Sequence, residues 1–213
     1  MPGQVQHRSR SRKSRHCPTS EYVAAESITG TRVAAKIRDL PFTVNVITAD
    51  FLDDFAAFEF REQTGYVSGV VGYETISTGY SIRGVDANVQ LRNGFHRIGL
   101  IDKVNVERVE VIKSAAASIY GTVQPGGTVN IITKRPKTKP EQRVGFSAGS
   151  NSFKRVQLSS TGPAGSSDTF FDRVGAATDE TKYDIPYKSK TVSYTHLRAH
   201  ETKANLVCRL LLE

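Results

Sequence analysis

The sequence predicts an α+β fold in two parts. Residues 21–136 form a small mixed sheet with short helices, and residues 137–191 form antiparallel strands patterned like those of a membrane barrel. Two observations carry this. Short β-branched runs separated by Gly, Asn and Pro turn signals fill the first part, with one capped helical stretch among them. After Pro140 the texture changes to segments of 8–10 residues that alternate apolar and polar. No run of about 18 apolar residues occurs, so no transmembrane helix is written in the chain.

The elements follow in order. Residues 43–47 (TVNVI) are a strand candidate behind Pro41. Thr48 is placed to cap a helix over 49–63, with Asp50 in the first turn favoured by the helix dipole. Phe51, Leu52, Phe55 and Phe58 fall at helical spacing and predict a buried aromatic face. Gly65 to Gly79 has no period and reads as loop with one strand. Tyr80–Arg83 and Val89–Arg92 are short strands, and Asn93-Gly94 is a strong hairpin signal. Asn105 to Lys113 alternates: Val106, Val109, Val111 and Ile112 supply apolar faces against polar Glu107, Arg108 and Glu110. Ser114 is placed to cap a short helix Ala115–Tyr120 that Gly121 ends. Pro125-Gly126-Gly127 turns into a strand Val129–Thr133, stopped by Lys134-Arg135-Pro136. Residues 142–149, 153–161 and 169–178 are the three later strands, which an ordinary antiparallel meander also fits.

The net charge of +8 belongs to the ends. Residues 1–20 carry five basic residues and no acid, and residues 187–213 carry five basic and two acidic ones, so the body between is neutral. That disfavours a nucleic-acid-binding protein, which would rest on the basic arm alone. The leader HRSRSRKSRHCPTS lacks an apolar h-region and is no secretory signal, so no signal peptide is present in this chain. A nucleic-acid arm, a disordered linker and a wrongly placed start or frame all fit it; the abrupt change at Glu21 favours the last. From Val192 the run VSYTHLRAHETKANLVCRLLLE resembles a sequencing-library adapter translated in frame, with Lys203–Asn205 where a variable index would sit. A native amphipathic helix is the other reading. On the adapter reading the native sequence stops near Thr191, and the His196/His200/Glu201 spacing carries no metal chemistry. Cys17 and Cys208 lie in these two ends, so they support neither a disulfide nor a metal site.

Several motifs in order now point one way. The run NVERVEVIKSAAASIYGTVQPGGTVNIITKRP, ending at Pro136, follows Arg38-Asp39-Leu40-Pro41, Ser81-Ile82-Arg83-Gly84 and Leu91–Gly94. Together, over roughly Glu21 to Tyr187, they resemble the plug domain and first barrel strands of TonB-dependent outer-membrane receptors, most like the ferric-siderophore branch. Ser114-Ala115 stands where the family has Gly-Pro, and Asn93-Gly94 where it has Asp-Gly. The resemblance implies residues 21–136 as plug, 137–191 as the start of a truncated transmembrane β-barrel, and the outer membrane of a Gram-negative bacterium as location. It implies TonB, with its ExbB/ExbD motor, and a ferric siderophore or similar ligand as partners, and no nucleic acid. No TonB box is visible in residues 1–20, so that coupling comes from the family.

The resemblance also assigns roles. Arg83 and Lys113 match two plug cations that face barrel carboxylates and latch plug to wall. Loop residues Asp86, Asn88, Phe95, His96 and Arg97 are the candidate ligand contacts. Gly84, Gly94, Gly121, Gly126 and Gly127 read as turn and cap positions needing positive φ. No nucleophile–base pair, carboxylate pair or His/Cys cluster is present, so neither an enzyme nor a cofactor or metal site is expected. Three strands cannot close a barrel, whose smallest members need about eight. A free-standing plug-like periplasmic module that binds a partner without transport is the alternative.

Overall fold

The computed structural model describes residues 19–20, 22–29, 35–73, 79–87, 90–97, 102–114, 124–150, 152–164, 170–182 and 188–200. The N-terminal stretch holds four two-residue strands, β1 (Thr19–Ser20), β2 (Val23–Ala24), β3 (Glu26–Ser27) and β4 (Ala35–Lys36), paired β1 with β2 and β3 with β4. Next come β5 (Val44–Thr48), α1 (Ala49–Asp54), α2 (Phe60–Gly65), β6 (Val70–Tyr73), β7 (Gly79–Ile82), β8 (Val85–Ala87), β9 (Gln90–Arg92) and β10 (Phe95–Arg97). A 3-10 turn at Lys103–Asn105 leads into β11 (Val106–Ile112), and β12 (Thr128–Thr133) completes this part. The core sheet runs β10-β9-β12-β11-β5 and is mixed, because β12 pairs with β9 in parallel while its other pairs are antiparallel. A second sheet is β6-β7-β8.

The expected helix over 49–63 is two helices. Thr48 does cap the first, its Oγ1 accepting from the Phe51 amide at 3.3 Å. That helix then ends in a Schellman arrangement: Ala57 N donates to Leu52 O and Ala56 N to Asp53 O, with Ala56 left-handed at φ +49°. Leu52 and Ala57 are buried together beneath this turn. The chain restarts at Glu59, whose amide donates to the carboxylate of Glu62 at 3.1 Å, the N3 half of a capping box. Phe51 and Phe55 therefore do not bury an aromatic face. They stack at 4.4 Å beside Tyr66 and Tyr22, with Phe55 exposed and Phe51 half-buried against the core, while Leu52 is the one of the four that is fully buried.

The core gathers Ile47, Leu52, Phe60, Val70, Tyr80, Ile82, Val109, Val111, Val129 and Ile131. All of this lies on one face of the mixed sheet, with the helices and the smaller sheet packed over it. The expected solvent face of β11 does not exist: Arg108 and Glu110 are buried at 2% and 0% exposure. β11 is an inner strand between β5 and β12, and its second face is covered by residues 27–29, which hydrogen-bond to Glu110.

The second part is one antiparallel sheet, β13 (Glu141–Ala148), β14 (Lys154–Pro163), β15 (Phe170–Lys182) and β16 (Lys188–His200), in chain order. Register places Val144 opposite Leu158 and Phe146 opposite Val156. These four side chains are exposed, with Val192 and Tyr194 exposed further along the sheet. The other face carries the buried Arg155, Thr161, Phe171, Arg173 and Ala177. An apolar outer face and a polar inner one is the dyad pattern of a membrane barrel wall. Residues 192–200, where the adapter-like run begins, pair with 170–178 as part of β16. That ladder is main-chain bonding, which any residue but proline supplies, so it is compatible with either origin. His196 and His200 thus lie on a strand, with His196 Nε2 3.8 Å from Asp172.

Candidate functional site

The two parts meet where the 3-10 turn ahead of β11 touches the inner face of the wall. Asp102 caps that turn, its Oδ1 accepting from Val104 N at 2.8 Å. The same oxygen accepts from Arg155 Nη2 at 2.6 Å, and Arg155 Nη1 reaches Asp179 on the next strand at 3.2 Å. Arg155 is 2% exposed. Its guanidinium lies 4.8 Å from the Phe58 ring centre, and the Lys103 ammonium, paired with Asp53 at 2.9 Å, lies 4.6 Å from the same ring. Phe58 also meets Phe153 at the β13–β14 turn, and Val104 packs against Gly175 of β15. A desolvated cation with two carboxylates and an aromatic face is a directional join between a domain and its wall.

A second polar cluster sits on the far face of the mixed sheet. Glu110 is fully buried, and Arg108 Nε donates to its Oε1 at 2.6 Å. Its Oε2 accepts from the Ser27 hydroxyl, the Thr29 hydroxyl and the Thr29 amide, the last at 2.9 Å. Asn130, directly across the ladder from Glu110, donates from Nδ2 to Thr29 Oγ1 at 2.8 Å. Burial alone would push the Glu110 carboxyl up; Arg108 and the Ser27 and Thr29 hydroxyls outweigh it and hold the group below the ordinary carboxylate range. Beside this cluster a cleft of about 350 Å³ is lined by Ile28, Asn93, Phe95, His96, Asn130 and Arg135 among others.

The structure gathers some of the sequence-predicted residues and separates others. Phe95, His96 and Arg97 form the exposed edge strand β10, and the first two share the cleft with Ile28. Asp86 is on β8 of the other sheet, and Asn88 lies outside the described residues. Arg83 and Lys113 meet at one corner: Arg83 N donates to Gly69 O at 2.9 Å, and Lys113 Nζ donates to Ser68 Oγ at 3.2 Å. Arg83 is exposed in a left-handed turn at φ +54°, whereas Lys113 is buried.

Gly84, Gly94 and Gly127 hold positive φ as expected, and Gly121 is outside the described residues. Gly126 is corrected. Its φ is not positive, and glycine is required there because a Cβ would fall 2.5 Å from Ile82 O. Asp102, Arg155, Phe58 and the Glu110 cluster were missed from sequence. Only the Glu-Arg-Val-Glu-Val spacing, which puts Arg108 and Glu110 on one face of an apolar strand, signalled any of them.

A small mixed-sheet domain docked by a buried ion pair on the polar face of a membrane-type wall defines a plugged-barrel architecture. Residues 36–128 match the TonB-dependent Receptor Plug Domain, the family that the sequence motifs resemble. It is similar to the ferrichrome outer membrane transporter/phage receptor of Escherichia coli, with 32% identity over 150 residues, 64% of this chain and 20% of that protein. It is 28% identical over 189 residues to the ferripyoverdine receptor of Pseudomonas aeruginosa, covering 83% of this chain and 23% of that one. The solved pyoverdine outer membrane receptor of the same organism, bound to pyoverdine, superposes with a TM-score of 0.78 at 26% identity, over 85% of this chain and 28% of that chain. The chain therefore spans about a fifth to a quarter of the length of these curated relatives.

Proposed function

We propose that this chain is the N-terminal part of a TonB-dependent outer-membrane receptor for energy-coupled uptake of a ferric siderophore or similar large nutrient. The observation that carries this is the docking of the plug sheet on the polar inner face of β13–β16, whose outer face is apolar. A free-standing periplasmic module would have no use for that outer face, since exposed apolar area is unfavourable in water and favourable against lipid. On this reading residues 21–136 are the plug and residues from 137 begin the wall.

The work of such a domain is recognition and gating, in keeping with the receptor and transporter family whose plug it matches. Cargo binds from outside, partly on plug residues, for which Asp86, Asn88, Phe95, His96 and Arg97 are the candidates. Coupling to TonB comes from the family, in which a TonB box, not visible in residues 1–20, pairs with TonB as an added strand whose main-chain hydrogen bonds give affinity. Arg83 and Lys113, at one corner of the plug, hold it to barrel carboxylates. The test expresses the genomic locus encoding this chain in a Gram-negative strain stripped of its own siderophore receptors. Radiolabelled ferrichrome and ferripyoverdine uptake is then measured with TonB present and deleted. Uptake that needs both the locus and TonB is expected; uptake unaffected by loss of TonB would refute the assignment.

A further inference from the structure

The N-terminal segment is attached to the plug in an unusual way. Among the described residues, 27–29 share no strand ladder with the five-stranded sheet, since β3 pairs only with β4. They are joined instead to side chains, chiefly Glu110, with Asn130 Nδ2 donating to Thr29 Oγ1 at 2.8 Å beside it. Ser27 Oγ, Thr29 N and Thr29 Oγ1 all donate to a single oxygen, Glu110 Oε2, and Ile28 N approaches the other at 3.5 Å. We propose that Glu110 is the release point of a strap formed by residues 27–29, which lifts from the plug as one unit while the sheet beneath stays folded.

Two features of the sheet support this. The first is a division of labour on the carboxylate: Arg108 holds Oε1 at 2.6 Å, and the strap uses Oε2. When the strap leaves, the ion pair remains, so no uncompensated charge is stranded in the sheet. The second is what the strap covers. Glu110, Arg108, Asn130 and Thr128 share its face of the sheet with the buried Ile112, Ile132 and Leu91, while Val109, Val111, Val129 and Ile131 form the core on the opposite face. The groups that the strap itself bonds, Glu110 and Asn130, are ones that water solvates once it lifts, and the main apolar core stays covered on the opposite face. Ile28 also walls the cleft with Phe95, His96 and Arg135, so departure of the strap opens that cleft toward Asn130 and Ile132. The direction of the pull, from the N-terminus, rests on the proposed TonB-coupled function; the detachable joint itself does not.

The test is hydrogen exchange by mass spectrometry on the full chain in detergent micelles, without TonB or cargo, so its result is independent of the uptake experiment. Glu110→Gln removes the charged acceptor. The pair Ser27→Ala with Thr29→Val removes two donors and leaves the Arg108–Glu110 pair intact, which keeps the test sound if the first variant fails to fold. Amides of 27–29 are expected to exchange about tenfold faster or more in the double variant, with β11 and β12 as protected as in the parent. Unchanged exchange at 27–29 would overturn the assignment of Glu110 as the joint. Loss of protection in β11 and β12 together with 27–29 would overturn it too, by making strap and sheet one cooperative unit.

Discussion

Removing the Arg155 cation should undock the plug from the wall, and the structure sets how much that costs. Arg155 is 2% exposed and stands between Asp102 at 2.6 Å and Asp179 at 3.2 Å. Arg155→Met keeps the stem volume and leaves two carboxylates facing each other on a closed contact, for which breaking a buried pair costs about 3–5 kcal/mol. Asp102→Asn is milder. Arg155 retains Asp179, the asparagine oxygen still accepts, and the loss is that of one charge-assisted bond, about 1.5–3 kcal/mol. The coupling between the two positions should then be about 1–3 kcal/mol, the range for residues sharing one network. The assay is a double-mutant cycle on urea unfolding in micelles, followed by tyrosine fluorescence, since the chain has eight tyrosines and no tryptophan. A coupling below about 0.5 kcal/mol, or equal damage from both single variants, would refute a plug–wall joint centred on Arg155.

Two further outcomes are accessible on the same material. Ala56→Gly should raise stability by about 1 kcal/mol, because Ala56 ends α1 at φ +49°, where an L side chain is strained; a lower urea midpoint would contradict the Schellman closure. Acid should free the strap. The Glu110 carboxyl is held below its ordinary value of 4.5, so its contribution is full above that pH and is lost as pH falls through the lower folded value. The protection factors at 27–29, taken against the intrinsic exchange rate at each pH, should therefore fall in that window before those of the sheet, and simultaneous loss of both would count against it.

What the sequence disclosed depended on how local the cause was. Thr48 as a cap, Asn93-Gly94 as a hairpin and the strand closed by Lys134-Arg135-Pro136 are decided by neighbours a few residues away, and all appear where expected. The break in the helix was hidden because the apolar spacing runs through it and the closing residue is Ala56, not a glycine. Burial of Arg108 and Glu110 was hidden for a different reason: alternation shows that two faces differ, not whether either meets water. Gly126 fits the turn rule by type but serves close packing against Ile82, a contact 44 residues away. The joins that matter most are longer still. Asp102 and Arg155 are 53 residues apart, and Thr29 and Glu110 are 81 apart. No period or cap encodes such pairs, so composition alone left Arg155 as one more polar position on an alternating strand.

The arrangement of these joins along β11 imposes an order on how the plug yields. The turn that carries Asp102 enters β11 at Val106, and Glu110 lies four residues further on, about 13 Å along the strand. One end is thus fixed to the wall by a desolvated cation with two carboxylates, and the other holds the strap by hydrogen bonds to a carboxylate that already has its counter-ion. Breaking the first separates a buried charge-assisted pair, Asp102 from Arg155, although Arg155 keeps Asp179; breaking the second leaves the Arg108–Glu110 pair intact. On the proposed TonB-coupled function, load from the N-terminus meets the strap before it meets β11, and the strap's hydrogen bonds are the weaker joint beside the desolvated Asp102–Arg155–Asp179 contact. The plug therefore gives way first at residues 27–29, with the apolar face of the sheet and the wall contact still in place.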